Sequence, residues 1–555
     1  MRILLVNWAP IAPGTLDGGG VNGYSQQLAL ELVSRGHEVA WLSSGWTYVA
    51  DSDGALGPVQ ARRMPDWRGV MVFDVINSPV IAPGPVQHKV PLAEVESPAL
   101  EAEIGRLAAL LRPDVVHFQN IEGLSAGCVL VMRESGAAVV FSLHNYHTIC
   151  PQVYLMQPSP NGRVACRSFE GGRACERCIK EPHPRDESIR RGKEHPLAVL
   201  AAREFREASD AAGRASVAPA REGLLERVGL RSVPPPVVVQ TPVVSHLLGR
   251  GIAVDSDVVR ESGNGSPQEP LGRVVSLDQH QPEWAPLDNE PTRDDSGSVN
   301  DFGTRRAAMV AMLSSCDVVL GVSKFVSAKF AALGVKPEAI ATLTIGTRMA
   351  ELAAAAPELT LGPPVFDAAR PRPLRVVFLG YHNYYKGLHV LADALELMDA
   401  SSLARIELRV HAKAVESFEW RLERLRGRLA GLIITRGYEY CDVPSLLSGV
   451  DVGVVPSVWW DNGPQTVMEM LAMRVPVLGA ALGGVPDLVE HGVNGLLHRG
   501  NDRAQLASQL AELASDLARV ATLRAGIASV KTMRSHAVEI ESVYAGAVRA
   551  RAVRA

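Results

Sequence analysis

Two carboxylates, Asp461 and Glu469, stand with seven residues between them in the segment PSVWWDNGPQTVME (456–469). Carboxylates accept hydrogen bonds, so two of them at one cleft suit a ligand that offers several donors. Asn462 and Gly463 suit a helix start, and Pro464 suits the first helical position, where its missing N–H costs nothing. Asp461 is therefore expected in the loop before a helix and Glu469 in its second turn. The backbone amides of the helix start, Gln465 and Thr466 included, offer unpaired N–H groups and a positive dipole end to an anionic ligand. Alone, the acid pair also fits a capped surface helix with a solvated Glu. Its place between the buried runs DVGVV (451–455) and VPVLG (475–479) favours the functional reading.

Other residues offer complementary chemistry. Lys386 lies in FLGYHNYYKG (378–387), just past a strand-like run, where a cation can meet an anionic ligand. At about 4 Å and an effective dielectric near 20, such a contact is worth about 4 kcal/mol before desolvation. Gly18-Gly19-Gly20-Val21-Asn22-Gly23 spells the GxGxxG pattern, but about ten residues separate it from the first strand. In a dinucleotide fold the glycines follow the strand at once. Gly19 and Gly20 are therefore read as a loop that lets backbone approach a phosphate or an acceptor. His144 ends a predicted strand facing the same cleft, with His147 its near neighbour. Cys150, Cys166, Cys175 and Cys178 cluster within about thirty residues. The C-x-x-C pair has metal-ligand spacing, but the irregular outer spacings favour free thiols, with a closed structural zinc site as the alternative.

These residues need a scaffold, and the hydrophobic pattern supplies one. RILLVN (2–7), HEVAWLSS (37–44), DVVHFQ (114–119) and AVVFSLH (138–144) read as buried strands alternating with helical stretches such as GYSQQLALELVSRG (23–36). The alternation restarts at LRVVFLG (374–380) and continues through IELRVHA, GLIITRG, DVGVVPS and VPVLGA. The expected fold is α/β, with two doubly wound Rossmann-like domains facing a cleft. Residues 1–345 form the first domain, with a Cys-rich segment at 150–178 and a flexible insertion at about 250–304. A linker spans 346–373, the second domain spans 374–530, and a C-terminal helix (531–555) is expected to return to the first domain.

Composition narrows the function. The 56 Lys and Arg against 60 Asp and Glu leave a net charge of −4, which argues against a general nucleic-acid binder. Seven cysteines in 555 residues do not make a disulfide scaffold and fit a reducing, cytoplasmic setting. The first residues are too short an apolar run for a signal peptide, and no stretch is long enough to span a membrane. Arg190, Arg191, Arg203 and Arg206 lie on a helical pattern that suits solvent, with peripheral contact to a membrane face or an anionic acceptor as the alternative.

Several ordered segments resemble the retaining glycosyltransferases of family 4 over about 1–150 and 306–500. They are the Gly19-Gly20 segment, SRGHEV (34–39), LRPDVVHFQN (111–120), SLHNYHTICP (142–151), FLGYHNYYKG, DVGVVPS and GGVPDLVEHGVNGLL (483–497), together with the Asp461–Glu469 pair. The resemblance implies a GT-B fold and transfer of a sugar from a nucleotide-diphosphate sugar with retention at the anomeric carbon. It implies that Glu469 binds the donor ribose and that Asp461, with the amides of 462–466, holds the donor sugar. It also places His144 near the reacting sugar and Lys386 at the diphosphate. No metal or other cofactor is needed for such catalysis, and Asp51-Ser-Asp53 is read as a chance match to a metal motif. The acceptor is expected to be a saccharide, a lipid-linked compound or a small molecule, in polysaccharide or glycoconjugate biosynthesis.

The chain departs from that family at three places: Asp461 replaces a Glu, Tyr381 an Arg, and Arg474 a Gly. His382, Lys413 and Arg436 are candidates to supply the missing cation. A non-catalytic scaffold subunit and a nucleotide-sugar epimerase remain the alternative functions.

Overall fold

The computed structural model describes residues 1–12, 19–48, 56–82, 91–159, 162–178, 300–360 and 372–554. Strand β1 (Arg2–Val6) leads into helix α1 (Gly19–Ser34), then β2 (Glu38–Ser44), β3 (Gln60–Trp67) and β4 (Val70–Ile76). Helix α2 (Pro98–Leu111), β5 (Val115–Phe118), α3 (Ala126–Glu134) and β6 (Ala138–Leu143) continue the alternation. A small hairpin of β7 (Met156–Ser159) and β8 (Gly162–Ala165) and the short helix α4 (Arg173–Cys178) carry the cysteine segment. Helix α5 (Asp301–Ser315), β9 (Val318–Gly321), α6 (Lys324–Ala332) and β10 (Ile340–Thr342) complete an eight-stranded sheet of order β10-β9-β6-β5-β1-β2-β4-β3. Its pairs are parallel except β3 with β4. Every residue of β5 and β6 is buried, as a parallel strand covered on both faces requires.

Helix α7 (Arg348–Ala355) leads to the second sheet, built of β11 (Leu374–Tyr381), β12 (Ile406–Lys413), β13 (Gly431–Thr435), β14 (Val452–Val455), β15 (Val477–Ala480) and β16 (Gly495–His498). Helices α8 (Leu388–Leu397), α9 (Glu416–Glu423) and α10 (Gln465–Ala472) lie in its crossovers, and α11 (Arg503–Ser515) and α12 (Leu517–Ala525) follow β16. The strands are all parallel, in the order β13-β12-β11-β14-β15-β16. The order reverses between β11 and β14, so the loops after these two strands open the crevice where such sheets bind ligands. Lys386 follows β11 and Asp461 follows β14. The α/β architecture with two Rossmann-like sheets is therefore present.

The last helix, α13 (Met533–Arg554), packs on the first domain. Tyr544 Oη lies 2.6 Å from His117 Nδ1, His536 Nε2 lies 2.7 Å from Tyr24 Oη, and Glu541 takes both arms of the Arg35 guanidinium at 2.7 and 2.6 Å. The two domains also share packing, because Tyr385, Trp459, Trp460 and Met468 of the second belong to the apolar core of the first.

Local expectations are corrected at four places. Gly19 and Gly20 open helix α1 instead of forming a loop before it, Gly19 with φ +65°. Pro464 caps α10 and is not its first residue, a shift of one position at a frayed boundary. The 346–373 linker contains α7, because the Thr347 side chain accepts from the Met349 N–H and so caps a helix start. The proposed insertion ends at Asn300, whose side chain caps α5 by accepting from the Gly303 N–H. Its other residues, with Gly18, Asp51, Asp53 and the four arginines from Arg190 to Arg206, lie outside the described residues.

Candidate active site

The site is assembled from the two loops at the strand-order reversal. After β11, the Asn383 side chain accepts from the Lys386 N–H at 3.0 Å, and Gly387 turns the chain with φ +74°. A Cβ on Gly387 would stand 1.8 Å from the Pro456 carbonyl oxygen, so only glycine allows this approach of the two loops. Val458 N–H donates to the Tyr385 carbonyl at 3.0 Å and ties the loops together. The result is a Lys386 Nζ to Asp461 Oδ2 contact of 2.8 Å, with the Asp461 side chain 8% exposed. Gly483, with φ +60°, allows a similar approach to the Asp461 backbone, and the Gly484 N–H donates to the Asp461 carbonyl at 2.7 Å.

Glu469 sits in the second turn of α10 and is buried at 6% exposure. Burial raises its carboxyl to about 7, with Lys386 opposing the shift. Lys386 thus acts on both carboxylates, which are brought to one place. Tyr440 also lies close enough for the Glu469 charge to raise its phenol, after burial has done most of that. No periodicity in the sequence singles out Tyr440.

The other expected donor contacts divide. Asn462 does not face the second domain's crevice: its Nδ2 donates 3.2 Å across the domain boundary to the Leu143 carbonyl. Its Oδ1 is buried without a hydrogen-bond partner. Gln465 also crosses, its Nε2 donating to the Gly20 carbonyl at 2.6 Å. These side chains hold the first domain against α10, so the pairing of Gly20 with Gln465 is a domain contact. Gly463 faces Val322, and Thr466 is half-buried at the start of α10.

His144 stands at the carboxyl end of β6, with Nε2 2.9 Å from Gln119 Oε1 and its ring 4.8 Å from that of Tyr24. Burial lowers its pKa to about 3, so the imidazole is neutral at pH 7. His147 is excluded from the cleft by its own partners. Arg305 donates to its carbonyl at 2.7 Å, and Arg305 is in turn held by Glu94, both side chains being 1% exposed.

Of the three cation candidates near Tyr381, Arg436 is paired with Glu419 at 2.8 Å, and burial lowers the pKa of His382. Lys413 is the cross-strand partner of Tyr381, with Nζ 5.8 Å from its ring centroid. Arg474 adopts φ +60°, the left-handed conformation that glycine takes most easily.

The cysteines of the cluster, Cys150, Cys166, Cys175 and Cys178, lie within one another's electrostatic reach. All four thiols are free. Burial raises Cys166 and Cys175 to about 12 and Cys178 to about 11. Among the described residues no three His, Cys, Asp or Glu side chains are grouped to hold a metal ion. Nor is any described helix long and apolar enough to cross a membrane.

Comparison with known proteins matches both halves of this arrangement. Residues 19–179 match the family model described as glycosyl transferase 4-like domain, and residues 373–516 match glycosyl transferases group 1. The putative colanic acid biosynthesis glycosyltransferase WcaL of Salmonella typhimurium is 28% identical over 209 residues, covering 36% of this chain and 48% of that protein. D-inositol 3-phosphate glycosyltransferase of Thermobispora bispora is 43% identical over 76 residues, 14% of this chain and 18% of that protein. The match to WcaL thus spans about half the length of that relative. Among solved structures, sucrose-phosphate synthase from Thermosynechococcus elongatus has a TM-score of 0.52 at 14% identity, with 99% of each chain covered. The α,α-trehalose 6-phosphate synthase from Burkholderia multivorans has a TM-score of 0.50 at 14% identity, with 100% of this chain and 98% of that one covered. At such identities the likeness concerns the fold. Two glycosyltransferase family domains, one matched in each half of a chain with two Rossmann-like sheets, make this a glycosyltransferase of the GT-B type.

Proposed function

We propose that the protein transfers a sugar from a nucleotide-diphosphate sugar to an acceptor with retention of anomeric configuration, in the assembly of a polysaccharide or glycoconjugate. The observation that carries this reading is the Lys386–Asp461 contact at the strand-order reversal, with buried Glu469 beside it. A diphosphate entering the crevice offers Lys386 a new anionic partner, which frees Asp461 to accept from sugar hydroxyls. Glu469 accepts from the ribose. Lys386, with Lys413 as second cation, stabilises the charge that develops on the leaving diphosphate, a preorganised electrostatic contribution. Neutral His144, held by Gln119, faces the sugar from the first domain without adding charge. Domain contacts through Asn462 and Gln465 keep the two walls together and limit the water that would hydrolyse the donor. The WcaL relative supports polysaccharide assembly as the setting, and the work would lie at the cytoplasmic side of a membrane.

The test is thermal shift against UDP, GDP, ADP and their sugar conjugates, repeated on Glu469→Ala, with product analysis of the stabilising donor. Selective stabilisation that the variant loses, together with transfer to an acceptor, supports the assignment. Stabilisation without turnover would favour a non-catalytic scaffold, and isomerised donor would favour an epimerase.

A further inference from the structure

The buried stripe of α13 consists of Met533, His536, Ala537, Ile540, Tyr544 and Ala547. Its two polar members, His536 and Tyr544, each hydrogen-bond to the first domain beside β6. His536 Nε2 and Tyr24 Oη share a bond of 2.7 Å, and the Tyr24 ring lies 4.8 Å from that of His144, tilted by 52°. Tyr544 Oη meets His117 Nδ1 at 2.6 Å, and His117 Nε2 meets Ser142 Oγ at 2.8 Å, two residues before His144. All of these side chains are buried. The imidazoles of His117, His144 and His536 are close enough for their charges to act on one another.

Seating the helix does not by itself require these bonds. Replacing both partners of a buried hydrogen bond by apolar groups of the same shape can be nearly neutral for stability. Glu541 also holds α13 in place, taking the Arg35 guanidinium and meeting His37 Nε2 at 2.7 Å. What a satisfied buried polar pair adds is rigidity and one defined geometry. Here the His536–Tyr24 bond fixes the Tyr24 ring, which packs against the His144 imidazole. Gln119 Oε1 holds the Nε2 edge of that imidazole at 2.9 Å, and Tyr24 supplies its ring contact.

We propose that His536 is a positioning residue for His144, acting through Tyr24, so that the C-terminal helix sets the orientation in which the imidazole meets the sugar. This rests on the role given to His144 above. Without His536 the Tyr24 hydroxyl is unpaired in the core, and the ring shifts to find another partner.

The test uses the full chain with isotopically labelled histidine, the His144 ring protons being assigned by their loss in His144→Gln. These protons feel the ring current of Tyr24. Their signals are expected to move in His536→Leu and in Tyr24→Phe, and to return in His536→Gln, whose amide can take the place of Nε2. They should stay in place in Glu541→Gln, which loosens the same helix without touching Tyr24. Tyr24→Phe removes only a hydroxyl and serves if His536→Leu fails to fold. In a second arm, nucleotide release would be followed from UDP-glucose, GDP-mannose or ADP-glucose, whichever stabilises the protein. In His536→Leu and Tyr24→Phe, kcat is expected to fall about tenfold with KM unchanged, part of the hundredfold that a misplacement of about 1 Å can cause, and His536→Gln should recover it. Ring signals that stay in place in both variants, or a kcat equal to wild type in both, would overturn the proposal. Full turnover in His144→Gln would overturn the role of His144 itself. Impaired His144→Gln beside unimpaired His536→Leu and Tyr24→Phe overturns this proposal alone.

Discussion

The two walls of the cleft handle charge in opposite ways. In the second domain, charged groups meet at the surface of the crevice: Lys386 touches Asp461, and Glu469 lies within its field. In the first domain, the groups at the strand ends are neutral. His144 is held by Gln119, and Asn7, Asn22 and Asn120 hydrogen-bond one another in a buried chain, Asn120 Nδ2 to Asn7 Oδ1 and Asn7 Nδ2 to Asn22 Oδ1. The charged pair of that wall, Glu94 and Arg305, is buried behind the His144 loop, where it holds the carbonyls of His147 and Thr148. The difference teaches that the same strand-end position serves two purposes. A partly exposed cation on a buried carboxylate can exchange that partner for a ligand, whereas a fully buried pair can only brace the backbone.

Breaking the buried pair should have the largest effect. Arg305→Met leaves the Glu94 carboxylate alone in the core and is expected to cost about 3–5 kcal/mol of stability in chemical denaturation. The double variant Glu94→Met/Arg305→Met should recover much of that loss, and failure to recover would mean that the pair does more than neutralise itself.

Glu469 gives the second test. Its folded-state pKa, raised from 4.5 to about 7, makes ionisation unfavourable to folding. The stability it contributes is complete below the unfolded value near pH 4.5 and is lost as pH rises through 7. By linkage the fall is about 3 kcal/mol between pH 5 and 8. Glu469→Gln should flatten that part of the stability profile, and an unchanged slope would place the titration elsewhere.

Asp461→Asn should reduce transfer by about a hundredfold, in the range found when one preorganised polar group is removed from a site. Nucleotide stabilisation should persist, because Lys386 remains. The smallest expected effect lies on the neutral wall. With His144 lowered to about 3, the rate profile between pH 5 and 8 should show no histidine limb. A limb near 6.5 that disappears in Gln119→Leu would show instead that the imidazole gains a proton during turnover.

Much of the fold was legible because buried parallel strands read as continuous apolar runs, and LRVVFLG, DVGVV and AVVFSL lie where the structure has β11, β14 and β6. The carboxylate pair was legible from the turn residues between its members. The roles of Asn462 and Gln465 were not, since both side chains serve a partner more than three hundred positions away.

By itself, then, the sequence determined the α/β alternation, the two sheets and the loop that carries Asp461 and Glu469, because these follow from local periodicity and from what Asn, Gly and Pro do to neighbouring backbone. Only the tertiary structure decided which charges meet. Lys386 pairs with Asp461 through a glycine that admits the Pro456 carbonyl, Arg305 finds Glu94, and Lys329 lies over the Trp460 ring. Contact between charges depends on distances across chain separations that no local pattern encodes, and burial then decides how strongly each contact counts.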